Sequence, residues 1–246
     1  MQLTLSGKRI DEIAIERLKT FEPPEGYYLA FSGGKDSIVI LDIAKRAKVK
    51  FDAHYNYTTV DPPEVFYFVK SFPEVEIHHP AQTMWQLIVK KMPPLRHRRW
   101  CCEKLKEGGG SGRTVITGVR RAESTRRSKR KMVESCYKDN TKKYVNPIID
   151  WEDADVWEYI KSRNLRYCSL YDEGFKRIGC VLCPMTRDVE KEILRWPKIA
   201  KGWERAVYKH WEKHANSSFE SPEAYWRWWL DRDASRKNSD ENVLFE

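Results

Sequence analysis

Long apolar runs are missing from this sequence, which contains no stretch of about 18 apolar residues that could cross a membrane as a helix. Its beginning, MQLTLSGKRIDEIAIERLKTF, also lacks the basic and then apolar pattern of a secretory signal peptide. A membrane-spanning protein and a secreted protein are therefore not expected. These two absences predict a cytoplasmic protein.

Cysteine is scarce, with six residues in a chain of 246, and this excludes a small disulfide-dense scaffold. Four of the six fall into two pairs, the adjacent Cys101 and Cys102 and the CxxC of Cys180 and Cys183. In a reducing compartment such pairs indicate metal ligands or reactive thiols. A zinc site or buried free thiols are the alternatives to an iron-sulfur cluster. Cys136 and Cys168 lie outside both pairs and are typical of core or loop thiols.

Negative charge is scarce in one segment, Lys90 to Lys131, which holds 15 Lys or Arg against 3 Glu. Its net charge of +12 exceeds the +9 of the whole chain, so the rest of the chain carries −3. Such a run is either a solvated face or a binding site for phosphates or for the backbone of a nucleic acid.

Apolar segments of strand and helix character alternate along the first two thirds of the chain. Strands are predicted at GYYLAF, KFDAHYNY, VEIHH and RTVITGV, with amphipathic helices between them. This alternation predicts an α/β fold with a parallel twisted sheet and flanking helices. A tryptophan-rich helical subdomain is expected to follow, with its aromatic residues in a core. The predicted divisions are an N-terminal helix (1–25), a nucleotide-binding and iron-sulfur domain (26–187) and a helical C-terminal subdomain (188–246).

The chain has no GxxxxGK motif, which excludes a Walker A loop. It does have a short glycine-containing turn between the first predicted sheet strand and the next helix. In this position backbone N–H groups and a helix N-terminus converge on an anion, and a lysine adds positive charge. The predicted phosphate-binding residues are Ser32, Gly33, Gly34, Lys35, Asp36 and Ser37.

The peptide SGGKDS resembles the PP-loop of the adenine nucleotide alpha hydrolase superfamily. Four later segments, RRWCCEKLK, TGVRRAESTRR, NPIIDWEDADVWEYI and LYDEGFKRIGCVLCP, resemble the phosphoadenosine phosphosulfate (PAPS) reductase family in the right order, from about Tyr27 to Arg187. The resemblance implies a Rossmann-like fold that binds ATP or a sulfonucleotide. It also implies nucleotide contacts from Gly118, Arg120 and Arg126 in addition to the loop, with Lys35 and Arg120 as catalytic residues.

The cysteine pattern is similar to the CC and CxxC pairs of the adenylylsulfate (APS) reductases. In those proteins the four cysteines hold a [4Fe-4S] cluster. The resemblance therefore implies that Cys101, Cys102, Cys180 and Cys183 bind such a cluster.

Sulfonucleotide reductases of this family carry a nucleophilic cysteine on a C-terminal tail, whereas this sequence ends DASRKNSDENVLFE and has no cysteine after Cys183. We therefore expect the second activity found in the family, cleavage of ATP to AMP and pyrophosphate for sulfur transfer, as in DNA phosphorothioation proteins. Mg²⁺ is expected to accompany ATP, held by Asp36 or Asp61.

Two other functions stay open at this point. One is an APS or PAPS reductase in which Cys136 or Cys168 is the nucleophile and a protein such as thioredoxin is the reductant. The other is a non-catalytic iron-sulfur protein that binds nucleic acid through Lys90 to Lys131. A sulfur donor protein is a further expected partner of the ATP-dependent activity.

Overall fold

The structure is a computed structural model that describes residues 7–214 and 218–231. Within these ranges the helices are α1 (Ile10–Thr20), α2 (Lys35–Ala47), α3 (Pro63–Lys70), α4 (Met84–Lys90), α5 (Trp100–Leu105), α6 (Thr125–Ser128), α7 (Asp153–Ser162), α8 (Val189–Arg195), α9 (Pro197–His214) and α10 (Pro222–Leu230). The strands are β1 (Tyr27–Ala30), β2 (Phe51–Asn56), β3 (Val75–His78), β4 (Thr114–Ile116), β5 (Val133–Ser135) and β6 (Lys143–Val145). The predicted C-terminal sequence beyond Asp231 lies outside the described residues.

The six strands form one sheet in the order β3-β2-β1-β4-β6-β5. All neighbouring pairs are parallel except β5 with β6, which is antiparallel. The predicted α/β fold with a largely parallel sheet is confirmed, and its four predicted strands are β1 to β4. The hairpin of β5 and β6 was not predicted.

By its internal contacts the chain divides into two units. Among the described residues, the sheet unit contains 7–56, 63–78 and 109–178, and the helical unit contains 57–62, 79–108, 179–214 and 218–231. The predicted boundaries follow the order of the chain and stay predictions. The predicted N-terminal helix, α1, belongs to the sheet unit, and the helical unit takes in segments that precede β4.

The core of the sheet unit is formed by apolar residues of the central strands and of α2. Leu29 of β1, Ile40 of α2 and Ile116 of β4 are all fully buried. Buried polar contacts connect three helices as well. Arg46 of α2 donates to Asp11 of α1 at 2.7 Å and to the hydroxyl of Tyr159 of α7 at 2.9 Å. These contacts hold α1 and α7 against α2, the helix that follows the predicted phosphate loop.

The core of the helical unit is aromatic, as the tryptophan-rich sequence predicted. Trp203 of α9 and Trp229 of α10 stack with ring centroids 4.8 Å apart, and Trp85 of α4 meets the edge of Trp203. Both buried indole N–H groups have acceptors, since Trp203 donates to the carbonyl of Val181 and Trp229 to that of Pro94. The bond to Val181 fixes the CxxC segment against this core.

Candidate active site

The predicted phosphate loop lies between the carboxyl end of β1 and the first turn of α2, as the sequence indicated. Gly34 is the N-cap residue, with φ −79° and ψ 159°, and the 13-residue helix α2 begins at Lys35. The first-turn N–H groups of a helix have no acceptor within the helix. Those of Asp36 and Ser37 therefore supply, with the helix dipole, the donors that an anion needs.

Two glycines are required by the geometry of this loop. Gly33 has φ +72°, and a Cβ there would lie 2.8 Å from Val69 and 3.2 Å from Val65 of α3. Gly118, which follows β4, approaches the start of α2 so closely that a Cβ would lie 2.8 Å from the Cβ of Asp36 and 3.0 Å from its carbonyl oxygen. The absence of a side chain at Gly118 lets the β4 segment pack against the loop. The predicted nucleotide contact of Gly118 stays a prediction.

The hydroxyls of the loop bond to one another. Ser32 donates to Ser37 at 3.2 Å, and Ser37 donates to the carbonyl of Gly34 at 2.8 Å. The backbone N–H of Lys35 donates to the hydroxyl of Tyr171 at 2.9 Å. Tyr171 was not among the predicted site residues, although it lies in the LYDEG segment that carried the family resemblance. It places a phenol at the helix N-terminus.

Lys35 and Arg120 share two carboxylates beside the loop. The Lys35 ammonium lies 2.9 Å from Asp153 and 3.4 Å from Asp36. The Arg120 guanidinium lies 2.7 Å from Asp36 and 3.0 Å from Asp153. Burial acts to raise the pKa of Asp153, but the hydrogen bonds and charges of Lys35 and Arg120 outweigh it and lower that pKa. The four groups form an alternating network of two cations and two anions.

Arg120 is more enclosed than the sequence suggested. Its residue is 2% exposed, and the guanidinium also donates to the carbonyl of Trp151 at 3.3 Å. These partners direct Arg120 toward Asp36 and Asp153. In this arrangement Arg120 positions the loop, and direct phosphate contact by its guanidinium stays a prediction. Asp153 and Trp151 were missed as site residues, although both lie in the quoted NPIIDWEDAD segment.

The second predicted arginine, Arg126, is exposed on α6, whereas its neighbour Arg127 is half-buried. Arg127 pairs with Glu123. Burial and the positive charge of Arg177 lower the pKa of Arg127 to about 10, with smaller contributions from Arg130 and Arg120, while Asp36 acts in the opposite direction. A partly buried cation among like charges is stabilised by an anion. Arg127, which the sequence analysis passed over, is therefore a second candidate for the phosphate contact.

The neighbouring arginines provide a matched test of this assignment. Arg127→Ala is expected to weaken nucleotide binding by about 10-fold to 100-fold, because a hydrogen bond to a charged group contributes about 1.5–3 kcal/mol. Arg126→Ala, on the exposed side of the same short helix, is expected to change the dissociation constant by less than about 3-fold. Equilibrium binding of a fluorescent ATP analogue measures both. A larger loss in Arg126→Ala would restore the assignment made from sequence.

The basic segment Lys90 to Lys131 is divided between the two units. In the sheet unit several of its arginines pair with carboxylates. These ion pairs are Arg113 with Asp52, Arg120 with Asp36 and Asp153, Arg121 with Asp150, Arg127 with Glu123, and Arg130 with Glu134. Much of its positive charge is thereby engaged within the protein. Nucleic-acid binding by this segment stays a prediction.

The four paired cysteines all belong to the helical unit. Cys101 and Cys102 lie in the short helix α5, and Cys180 and Cys183 lie in a turn in which the Cys183 N–H donates to the Cys180 carbonyl at 3.2 Å. The N–H of Val181 donates to the carbonyl of Val60 at 2.8 Å, and the Thr58 hydroxyl lies 3.3 Å from the Cys180 sulfur. The CxxC turn is therefore fixed on two sides, by the segment at Thr58 and by Trp203.

Electrostatic effects connect the four thiols. The pKa of Cys101 is raised by its hydrogen bond with Cys102, by burial and by the charges of Cys102, Cys180 and Cys183. The hydrogen bond from Cys101 lowers the pKa of Cys102 to about 6. Burial raises the pKa of Cys180 to about 11, although Lys106 acts to lower it. Cys101 thus lies within electrostatic reach of the other three thiols, and the cation Lys106 lies within reach of Cys180 and Cys102.

The arrangement of these thiols was tested against both metal alternatives. A tetrahedral zinc site with Zn–S bonds of about 2.3 Å needs sulfurs about 3.8 Å apart. Among the described residues, no three cysteine sulfurs meet within 4.8 Å of one another. Which of the two metals the four cysteines bind stays a prediction. In a multi-iron cluster each thiolate binds a different iron. The hydrogen-bonded pair Cys101 and Cys102 must separate to do this.

Comparison with known proteins assigns the family. The model of the phosphoadenosine phosphosulfate reductase domain matches residues 26–186, more than half of the chain. The chain belongs to this family. The matched range contains the phosphate loop, both cysteine pairs and the basic segment Lys90 to Lys131. The family resemblance drawn from sequence is therefore confirmed.

The relatives of this PAPS reductase family member differ in length. The chain is 30% identical over 223 residues to an uncharacterized protein of Methanocaldococcus jannaschii, and the alignment covers 81% of this chain and 45% of the relative. It is 31% identical over 169 residues to an adenosine 5'-phosphosulfate reductase of Oceanobacillus iheyensis, covering 63% of this chain and 69% of the relative. The chain spans about half the length of the archaeal relatives it matches.

A solved structure shares the fold. The phosphoadenylyl-sulfate reductase of Candida auris superposes with a TM-score of 0.54 at 21% identity, covering 73% of this chain and 97% of that one. At this identity the likeness shows the fold alone.

The helices of the described ranges include none with the length and apolar character that crossing a membrane requires.

Proposed function

We propose that this PAPS reductase family member binds ATP at the phosphate loop and releases pyrophosphate, so that an activated oxygen can be replaced by sulfur. Its relatives include proteins named for the reduction of a sulfonucleotide, which supports an adenine nucleotide of sulfur metabolism as ligand. Lys35 lies in the first turn of α2, and Arg127 lies within electrostatic reach of Asp36 in the same turn and of Arg177, Arg130 and Arg120. This concentration of cations at a helix N-terminus supports a polyphosphate ligand.

The proposed reaction is a displacement at the α-phosphorus. An oxygen of the acceptor forms a bond to this phosphorus while the bond to the bridging oxygen breaks, and pyrophosphate leaves with the electron pair. Lys35 and the helix N-terminus are placed to stabilise the charge that develops on the phosphates. A sulfur nucleophile supplied by a donor then displaces AMP from the activated carbon or phosphorus of the acceptor. Neither step changes the oxidation state of the nucleotide.

The positions of Cys136 and Cys168 favour pyrophosphate release over reduction of a sulfonucleotide. These are the two thiols of the sheet unit, and both lie outside the cysteine pairs. Cys136 follows β5, which is antiparallel to β6, and its N–H donates to the carbonyl of Lys142 just before β6 begins. The strand register puts Leu29 of β1 and Val133 of β5 at the same level of the sheet. Ser32 lies three residues after Leu29 and Cys136 three residues after Val133. Because β1 and β5 run in opposite directions, Ser32 and Cys136 lie on opposite sides of that level. At about 3.3 Å per residue, Cys136 and the loop are about 20 Å apart along the strands.

Cys168 is closer in the chain to the loop partner Tyr171, but its chemistry is unfavourable for attack. Its residue is 1% exposed, and burial raises the pKa of its thiol. A nucleophilic cysteine needs a thiolate that can reach the substrate. Within the described part of the sheet unit, neither thiol combines access to the loop with a lowered pKa, which favours the pyrophosphate-releasing activity.

The cofactors are part of the same proposal. A [4Fe-4S] cluster would be held by Cys101, Cys102, Cys180 and Cys183, and when bound it would supply electron transfer or a binding point for sulfur. Mg²⁺ would arrive with the ATP phosphates, for which one or two protein carboxylates suffice. Asp36 is the carboxylate at the loop, while Asp61 belongs to the helical unit and accepts from the N–H and hydroxyl of Thr58 at 2.7 Å. Asp36 is thus the better placed of the two predicted residues.

The unpaired thiols provide the experiment that separates the two activities. Cys136→Ala and Cys168→Ala are each expected to leave pyrophosphate release from ATP within about 2-fold of the wild-type rate, because neither thiol takes part in the proposed step. A coupled pyrophosphate assay, run in parallel with a sulfite assay on APS and PAPS with thioredoxin, measures both reactions. Thioredoxin-dependent sulfite formation that either substitution abolishes would make the protein a reductase.

A further inference from the structure

A second group of metal-binding side chains lies on the sheet, away from the cysteines in sequence. His54 of β2 and Glu76 and His78 of β3 place three ligand atoms within 4.8 Å of one another. In the parallel register of β2 and β3, His54 pairs with Glu76 and Asn56 with His78. Residues two apart on a strand share a face of the sheet, so the three side chains project from the same face.

The distances suit one small cation. His54 Nδ1 lies 2.8 Å from His78 Nε2 and 3.4 Å from a carboxylate oxygen of Glu76. Tetrahedral coordination with bonds of about 2.0–2.1 Å places ligand atoms about 3.4 Å apart. The two imidazole nitrogens must move apart to reach this spacing. The side chains of His78 and Glu76 are 38% and 66% exposed, which leaves them room to do so.

A carboxylate behind His54 selects the nitrogen that faces this group. Asp52 bonds to His54 Nε2, and Arg113 in turn donates to Asp52 at 2.5 Å. Because the Asp52 carboxylate accepts from Nε2, the proton of His54 stays on that nitrogen and the lone pair of Nδ1 is directed at His78 and Glu76. This carboxylate-to-histidine contact is the support that metal-binding histidines commonly have.

The ring of His54 is also held from above. Tyr28 of β1 stacks on it with centroids 4.1 Å apart and an interplanar angle of 11°. The imidazole is therefore fixed in position by Tyr28 and in orientation by Asp52, before any ligand binds. A fixed nitrogen ligand loses little freedom on coordination, which favours binding.

We propose that His54, Glu76 and His78 form a binding site for a divalent transition-metal ion, with Zn²⁺ as the cation that fits two imidazoles and one carboxylate. Three protein ligands leave a fourth position for water. The alternative is that His54 and His78 share a proton and bind no metal. Binding of Zn²⁺ would displace that proton. The experiment below distinguishes these two arrangements.

Free thiolates can bind zinc and cobalt as well, so the measurement must separate the histidine group from the cysteines. Co²⁺ is the probe, because thiolate ligands give intense charge-transfer bands and imidazole with carboxylate gives only weak ligand-field bands. After treatment with a chelator, the wild-type protein is expected to bind one equivalent of Co²⁺ that adds ligand-field absorption only, separate from any cobalt on the cysteines with its charge-transfer bands. Zn²⁺ is expected to displace this cobalt.

Matched variants assign the site. Glu76→Gln and His78→Gln are each expected to remove the ligand-field equivalent, while His79→Gln, the adjacent exposed histidine outside the group, keeps it. Asp52→Asn is expected to retain the stoichiometry and to weaken Zn²⁺ binding by about 10-fold to 100-fold. Glu76 is exposed, so its isosteric change tests the site without disturbing the fold, which circular dichroism checks. Equal Co²⁺ and Zn²⁺ binding by wild type, Glu76→Gln and His78→Gln, or none by the wild type outside the cysteines, would overturn the proposal.

Discussion

Replacing Lys35 by alanine is expected to lower the rate of pyrophosphate release from ATP by about 100-fold to 1,000-fold, the usual loss when one preorganised charge-stabilising donor is removed. Lys35 is the ammonium group at the first turn of α2, and its side chain is only 9% exposed. Its removal would also leave Asp36 and Asp153 with one fewer cation, so their negative charge would oppose the phosphates. Steady-state kinetics with ATP measure the loss.

Lys45→Ala is the matched control, because Lys45 lies in the last turn of the same helix. Its ammonium is half-exposed and pairs with Glu74. A surface ion pair contributes about 0–1 kcal/mol to stability, so the variant should fold and retain nearly full activity. If both variants turn over ATP at the wild-type rate, the loop of Ser32 to Ser37 does not bind the reacting phosphates.

Replacing Cys180 by serine is expected to reduce the iron content of anaerobically purified protein from about four atoms per chain to less than one, with loss of the brown colour. Cys180 lies in the fixed CxxC turn, in contact with Thr58 and beside Lys106. A serine hydroxyl at this point replaces a thiolate with a much weaker iron ligand. Iron and acid-labile sulfide analyses measure the change.

Cys136→Ser is the control for this second prediction. Cys136 belongs to the sheet unit, outside both cysteine pairs, and its change should leave the iron content at about four per chain. Wild-type protein that contains stoichiometric zinc, lost in Cys180→Ser, with no iron or sulfide would show that the four cysteines form a zinc site.

The parts of the fold that depend on local pattern were predictable from sequence. Buried runs such as YYLA gave β1 to β4, and the glycine turn before an apolar helix gave the phosphate loop. Pro197 begins α9 just after α8 ends, because proline is tolerated in the first turn of a helix but not in its interior. The spacing of the tryptophans puts them on one apolar face of each helix, α9 and α10. That spacing predicted the aromatic core that the structure shows.

The missed features depend on contacts between distant residues. Strands β5 and β6 have three residues each and alternate with charged residues, so they carry too little apolar pattern to be recognised. The sequence could place Arg120 near the loop but could not show that Asp36, Asp153 and Trp151 surround it. Likewise, Arg126 and Arg127 are adjacent, and only the orientation of α6 distinguishes the exposed side chain from the half-buried one.

The same limit applies to the histidine site. Helix α3 separates His54 from Glu76 and His78 in the chain, and the parallel register of β2 and β3 brings the three residues together. Asp52 precedes His54 by two residues, a spacing that puts both on one face of a strand. The spacing of Asp52 and His54 is visible in the sequence. It does not show that β3, which carries Glu76 and His78, pairs with β2.

The measurement that tests the central claim most directly is a product assay with α-phosphate-labelled ATP, APS and PAPS, run side by side on the anaerobically purified protein with Mg²⁺ and thioredoxin. The account predicts that label from ATP appears in AMP, with an equal amount of pyrophosphate, and that neither APS nor PAPS yields sulfite. Label in ADP, or sulfite formed from APS or PAPS in a thioredoxin-dependent reaction, would contradict it.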